Sequence, residues 1–286
     1  MADAPRFYLT ISCPDVVGVV SAVSTMLTEA NCFITESNHF GDPQTNVFFM
    51  RTVLEPRSPG FTRAAFAERF APIAAKFAMD WSLHDARIPP RVLILVSKFD
   101  HCLQDLLYRK RTGSLMMEVP AIVSNHVTLA PLAEQARIPF VHLAVTAETK
   151  ATAEARLFEI IEDTRSEFVV LARYMQVLSN EACGRLPGRV VNIHHSFLPS
   201  FKGAKPYHQA FERGVKLVGA TAHFVTADLD EGPIIEQDVE RVDHADDVRE
   251  LVATGQDVER RVLARAVRWH AEHRVFVNGG RTVVFR

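Results

Sequence analysis

The sequence has few features that would fix a compartment or a scaffold at once. Its four cysteines, Cys13, Cys32, Cys102 and Cys183, lie far apart and form no CxxC pair. That spacing excludes a disulfide framework and a zinc site, and the four read as small buried hydrophobes in a reducing compartment. No apolar run approaches the roughly 18 residues needed to span a bilayer. The N-terminal stretch from Met1 to Arg6 has no signal-peptide pattern and leads straight into an alternating strand. The expectation is a cytoplasmic protein. Charge of one sign is also missing. Thirty-two basic residues against 34 acidic leave a net charge of −2, so no global basic field draws nucleic acid, and no membrane partner is expected.

What is present is an ordinary globular composition, 48% hydrophobic and 23% charged over 286 residues, enough for two cores. The short, stiff connector Ala86-Arg87-Ile88-Pro89-Pro90 places the expected boundary between a domain of residues 1–86 and one of 87–286. In the first, Phe7, Leu9 and Ile11 alternate as a half-buried strand. Pro14 and Asp15 suit a helix start, with Val16, Val19, Val20, Val23 and Leu27 at helical spacing and Asn31 as its stop. Phe33 to His39 and Asn46 to Leu54 read as strands turned at Gly41-Asp42-Pro43. A second helix carries Ala65, Phe66, Phe70, Ile73, Ala74 and Phe77 on one face, and Trp81 to His84 forms a last strand. The order βαββαβ is the ferredoxin-like plan.

Beyond the connector, Val92 to Val96 is a continuous apolar run, as expected of a strand buried on both faces of a parallel sheet. Ala121 to Ser124, Phe140 to Val145, Phe168 to Ala172 and Val190 to His194 follow, with helical segments at Cys102 to Lys110 and Ala151 to Thr164. Strands alternating with helices predict a doubly wound α/β sheet, with ligands taken beyond the C-terminal strand ends. A long helical pattern from Asp246 to His273 and a short strand, Thr282 to Phe285, close the chain.

Asn192 and His194 alternate at such a strand end, so their side chains share one face. A further strand, Gly219 to Thr226, runs into a turn with Asp230 at its bend. An amide, an imidazole and a carboxylate converging there can perform acyl transfer. The amide donates to a developing oxyanion, the imidazole moves a proton, and the carboxylate orients the imidazole. The bland readings are a metal site at His194, His195 and Asp230, which no ligand spacing supports, and Asn192 as a mere turn cap. His223, in mid-strand, reads as a structural histidine that helps hold the Asp230 loop. His195 receives no proton-transfer role.

Three strings, Asn192-Ile193-His194, Ser196-Phe197-Leu198-Pro199 and Leu229-Asp230-Glu231-Gly232-Pro233, resemble the signature of the folate-dependent formyltransferase fold over roughly residues 88–286. The resemblance implies that Asn192, His194 and Asp230 are the catalytic residues. It also places a pterin-binding segment at Arg173-Tyr174-Met175-Gln176-Val177-Leu178-Ser179, with Met175, Gln176 and Leu178 contacting folate and the loop from Thr226 through Asp228 to Asp230 closing the other side. The string Cys13-Pro14-Asp15-Val16-Val17-Gly18-Val19-Val20, with Phe48-Phe49-Met50-Arg51, resembles an ACT domain over residues 5–86. That likeness implies an amino-acid effector site or an interface of a homodimer or homotetramer. The bland alternative is a packing module that binds nothing. With His194-His195-Ser196-Phe197-Leu198-Pro199-Ser200-Phe201-Lys202-Gly203-Ala204-Lys205-Pro206-Tyr207, the combination is similar to the formyltetrahydrofolate deformylases within that family.

The acceptor follows from one further absence. Where the transferases of the resembled family carry a Gly-rich phosphate loop, this chain reads Ser97-Lys98-Phe99-Asp100-His101-Cys102-Leu103. It has no glycine to open backbone N–H groups to a phosphate, and Asp100 repels one. The implied reaction is hydrolysis of 10-formyltetrahydrofolate to tetrahydrofolate and formate, balancing the one-carbon pool and supplying formate for purine synthesis, with no prosthetic group and no metal. The alternatives are formyl transfer to a small amine and a non-catalytic amino-acid sensor.

Overall fold

In the computed structural model, residues 5–199 and 206–286 are described. The chain divides into two units: one of Met1–Pro89 with Glu272–Asn278 and Val283–Arg286, and one of Pro90–Ala271 with Gly279–Thr282.

The first unit runs β1 (Phe7–Pro14), α1 (Val19–Glu29), β2 (Cys32–Asp42), β3 (Val47–Pro56), α2 (Arg63–Lys76) and β4 (Asp80–Asp85). The sheet order is β2-β3-β1-β4 with antiparallel neighbours, the ferredoxin-like topology. Leu9, Ile11, Met50 and Leu54 on one sheet face pack with Val23, Leu27, Phe66 and Phe70 of the helices. Two details differ from the sequence expectation. The first helix starts at Val19, because Gly18 sits at φ 100° in the left-handed region and ends the preceding turn. Val16 and Val20 therefore fall outside the buried stripe and are exposed. The turn between β2 and β3 is Pro43 to Asn46, and Gly41 and Asp42 belong to the strand.

On the other face of this sheet, Phe49 and Arg51 meet the returning C-terminal residues. Phe49 packs on Phe276 with ring centroids 5.6 Å apart. Arg51, fully buried, donates to Glu36 at 2.8 Å and to the carbonyl of Glu272 at 3.0 Å, and lies over the Tyr8 ring. Arg274 also donates to Glu36, at 2.8 Å, and Asn278 to Asp42, at 2.5 Å. Glu36 thus offsets two guanidinium groups. Glu36→Ala leaves buried Arg51 without its carboxylate. A fully buried pair costs about 3–5 kcal/mol to break, so with Glu36 one-third exposed the expected loss is about 2 kcal/mol, read as a lower urea midpoint.

The second unit contains β5 (Val92–Val96), α3 (His101–Arg111), β6 (Ile122–Ser124), α4 (Ala130–Gln135), β7 (Phe140–His142), α5 (Lys150–Asp163), β8 (Phe168–Leu171), α6 (Asn180–Arg185), β9 (Val190–His194), α7 (Pro206–Glu212), β10 (Leu217–Phe224), β11 (Ile234–Arg241) and α8 (Val248–Ala271). The hairpin β12 (Val275–Asn278) and β13 (Arg281–Val284) ends the chain. The seven-stranded sheet has the order β11-β10-β9-β8-β5-β6-β7; β5 to β9 are parallel, and β10 and β11 are antiparallel additions. The strand order reverses at β5, which puts the ends of β5 and β8 at the switch point where open sheets take ligands. α8 packs on β9, β10, β11 and α3. No helix among the described residues is long and apolar enough to cross a membrane.

On α8, His270 lies edge-on to the Phe168 and Phe224 rings, at 4.6 and 5.3 Å. Burial there pushes its pKa down to about 4 from the ordinary 6.5. The folded protein keeps this ring neutral while the unfolded chain takes up a proton. Its contribution is therefore intact above pH 6.5 and is lost as pH falls from 6.5 toward 4, by at most about 1.4 kcal/mol per pH unit. His270→Leu should flatten part of the fall in unfolding free energy between pH 7 and pH 5. An unchanged slope in denaturant titrations would refute that assignment.

Candidate active site

The site is built on the pairing of β9 with β10. In that antiparallel register His223 lies opposite Asn192, and Thr221 opposite His194, so the four side chains form two cross-strand pairs on one face. Thr221 also fixes the loop that leaves β9. Its hydroxyl donates to the carbonyl of Ser196 at 2.9 Å and accepts from the N–H of Leu198 at 3.0 Å, and Gln237 donates to it at 3.0 Å. Ser200 to Lys205, part of the string that carried the subfamily resemblance, lie outside the described residues.

Three of the expected residues come together. His194 is buried, and its Nδ1 stands 3.3 Å from Oδ1 of Asp230. Asn192 Nδ2 is 3.1 Å from Nε2 of His223. His223 donates its Nδ1–H to the carbonyl of Phe224 at 2.8 Å, so in the neutral ring Nε2 accepts from the Asn192 amide. One amide N–H is thereby spent on His223, and the second remains for a ligand. His223 is thus a positioning residue for Asn192 as well as a sheet histidine. The register that reveals this is invisible in a single strand.

Asp230 sits at φ 59°, which an aspartate tolerates better than most side chains. Its carboxyl is held well below the usual carboxylate range, first by the bond to His194 and then by the proximity of His223. His223 Nε2 is 3.7 Å from Asp230 and, as an acceptor, offers no proton, so the effect rests on His194. The remaining nitrogen of His194, Nε2, is buried and has no hydrogen-bond partner.

These groups line a cavity of about 350 Å³ together with Met175, Gln176, Leu178 and Thr226. Met175 and Val177 are about half exposed at its wall, and Leu178 is anchored in the core. Asp228 is not part of the lining; its carbonyl accepts from Thr226 Oγ1 at 3.1 Å and shapes the turn. Ser97, buried at the end of β5, positions the wall: it accepts from the N–H of Met175 at 2.9 Å and donates to Asn125 at 2.6 Å. At the start of α3, Asp100 accepts from Gln104. Among the described residues one group of His, Cys and Glu converges closely enough to hold a metal, His101, Cys102 and Glu259. The Arg173 guanidinium already faces that carboxylate at 3.3 Å and occupies the role a cation would fill.

The Asp230 turn closes against β10 at Gly232, where a Cβ would run into the carbonyl of Phe224. Gly232→Ala should therefore displace Asp230. A shift of about 1 Å at a reacting group costs about 10² in rate, so kcat should fall by that order, and because the clash is with backbone the unfolding midpoint should fall as well. Equal activity in the variant would mean that the turn does not set the site.

The chain matches the model of the formyl transferase family over residues 90–267. It is 50% identical over its whole length, and the whole of its relative, to a formyltetrahydrofolate deformylase of Corynebacterium sp.. With the deformylase of Bacillus subtilis it shares 47% over 97% of this chain and 93% of that one. Its fold superposes on the crystal structure of a Burkholderia mallei formyltetrahydrofolate deformylase with a TM-score of 0.94, at 54% identity over 99% of this chain and 100% of that one. A glycinamide ribonucleotide transformylase from Symbiobacterium toebii covers 69% of this chain and 95% of its own length, with a TM-score of 0.65 at 32% identity.

Proposed function

The chain belongs to the formyl transferase family, in its formyltetrahydrofolate deformylase branch, and from that premise we propose that Asn192, His194 and Asp230 are the groups with which it hydrolyses 10-formyltetrahydrofolate to tetrahydrofolate and formate. The observation that carries the assignment of roles is the buried, unpartnered Nε2 of His194, opposite the nitrogen that Asp230 engages. A buried polar atom without a partner costs free energy, and a substrate oxygen in the cavity removes that cost.

Asn192 and His194 donate to the formyl oxygen. Water attacks the formyl carbon, and the carbonyl π pair moves onto that oxygen as the tetrahedral intermediate forms. The water proton passes to the His194–Asp230 pair. Asp230, held ionised, stabilises His194 whenever the ring carries both protons. The C–N10 bond then breaks with its electron pair on N10, which takes the proton, and formate leaves. Asp100 at the start of α3 supports water as acceptor over a phosphorylated amine.

Met175, Gln176, Leu178 and Thr226, from the cavity lining, take the pterin, and Asp228 holds the turn that covers it. The first unit, whose topology suits an ACT-like domain, takes an amino-acid effector or pairs copies of the chain. Its edge strand β2 is 11 residues long, and unpaired edges of that length are usually covered in an oligomer. The enzyme works in the cytoplasm and supplies formate to purine synthesis.

Removing one oxyanion donor costs about 10²–10³ in rate. Asn192→Ala and His194→Ala should each lower kcat by that factor in an assay of formate released from 10-formyltetrahydrofolate with no other acceptor. Near-normal turnover in either variant would end this assignment.

A further inference from the structure

The reaction as derived leaves His195 without a role, although it lines the same cavity. It follows His194 directly, and β9 ends at His194, so the backbone is free to turn the next ring back. The two imidazoles stack with centroids 4.9 Å apart and planes 22° from parallel. His195 Nδ1 lies 2.5 Å from Nη1 of Arg173. A guanidinium is always a donor, so Nδ1 accepts and the proton of the neutral ring sits on Nε2. Nε2 makes no hydrogen bond among the described residues.

Arg173 is itself held in place. It is buried, with Nε 3.3 Å from Oε2 of Glu259, a carboxylate with no exposure on α8. Glu259 is also bonded to Tyr207, at 2.6 Å, and to His101, at 2.7 Å. Tyr207 reaches it because residue 255 is glycine; a Cβ there would meet the Tyr207 ring. Arg173 stands at φ 64°, a conformation that a glycine adopts without strain. The side chain held at this strained position reaches His195 and Glu259.

We propose that His195 holds the attacking water: its Nε2–H, fixed in that tautomer by Arg173 and Glu259, donates to the water oxygen and leaves the other lone pair directed at the formyl carbon. This rests on the hydrolytic reading above. The lone pair forms the new C–O bond, the water proton goes to the His194–Asp230 pair, and N10 takes the electron pair of the breaking bond. His195 gains and loses no proton. Burial, Arg173 and His194 push its pKa down to about 4, so it remains a neutral donor beside His194 and adds no second positive charge to the stack. An amine acceptor is oriented by the rest of its own molecule, whereas a single water has only the hydrogen bonds it is given. A fixed donor of this kind suits a hydrolase.

The test compares two acceptors in one protein. Formate release and formyl transfer to added hydroxylamine, each corrected for the uncatalysed reaction, are measured for wild type, His195→Ala and His195→Gln. In His195→Ala, formate release should fall about 10²-fold, the order of a lost positioned catalytic group, with KM for 10-formyltetrahydrofolate within about twofold. Transfer to hydroxylamine, a stronger nucleophile, should persist, so the product ratio moves at least tenfold toward the hydroxamate. His195→Gln keeps an N–H donor and should recover part of the formate rate. A parallel loss of both products, or an unchanged ratio, overturns the proposal. If Asn192→Ala and His194→Ala abolish turnover while the ratio in His195→Ala stays at the wild-type value, this inference alone fails. A further variant, Arg173→Met, frees Nδ1 while His194, Glu259, Asp230 and Tyr207 still face the ring. The acid limb of the formate rate should then lie at higher pH than in wild type, because burial and His194 still lower the ring's pKa but Arg173 no longer does, and an unmoved limb also counts against the proposal.

Discussion

The antiparallel pairing of β9 and β10 is the constraint on which the site depends. Side chains on a strand alternate with a period of two, so a slip of one residue would turn Asn192 and His194 into the sheet and away from the cavity. The register is pinned from both sides. Thr221, opposite His194, ties down the loop after β9, and His223, opposite Asn192, takes one proton of its amide. β10 then delivers the chain to the turn that carries Asp230, and Gly232 lets that turn close on β10. Position, orientation and charge of three functional groups thus derive from one strand pair and its exit turn.

A second layer of polar groups lies behind the first, and its members come from elements distant in sequence. Ser97 at the end of β5 supports the cavity wall through Met175, and Glu259 on α8 supports Arg173. Both are buried and fully engaged, which keeps their geometry fixed while the cavity remains free to take a ligand. Rigid support beneath a polar first layer is what electrostatic stabilisation of a transition state requires, because dipoles that must reorganise give back much of what they contribute.

Much of this was legible in the chain. Apolar runs such as Val92 to Val96 announced the parallel sheet, and the alternation of Asn192 with His194 at a strand end announced a polar face. The bend at Asp230 was marked by its acidic and Gly-Pro turn residues. What escaped were relations that exist only across strands or helices. Nothing near His223 says that Asn192 lies opposite it. Glu259 sits in a helical pattern rich in charge, where an acidic residue reads as solvated, and only the approach of Arg173, His101 and Tyr207 makes its burial tolerable. α1 starts later than the spacing predicts, because Pro14 and Asp15 carry ordinary helix-start chemistry, while the left-handed turn at Gly18 is a backbone property that its sequence neighbours do not encode.

The return of Glu272–Asn278 and Val283–Arg286 to the first unit has a consequence for how the chain is made. In order of synthesis, the second unit is an insertion between two parts of the first. The strands β1 to β4 are made before the second unit, but the residues that cover Phe49 and meet Arg51 and Asp42 are made after it. Until those residues emerge, one face of that early sheet waits with a buried-type arginine and an aromatic ring uncovered. The second unit can assemble its own sheet in the meantime. Completion of the first-made unit therefore follows synthesis of the second.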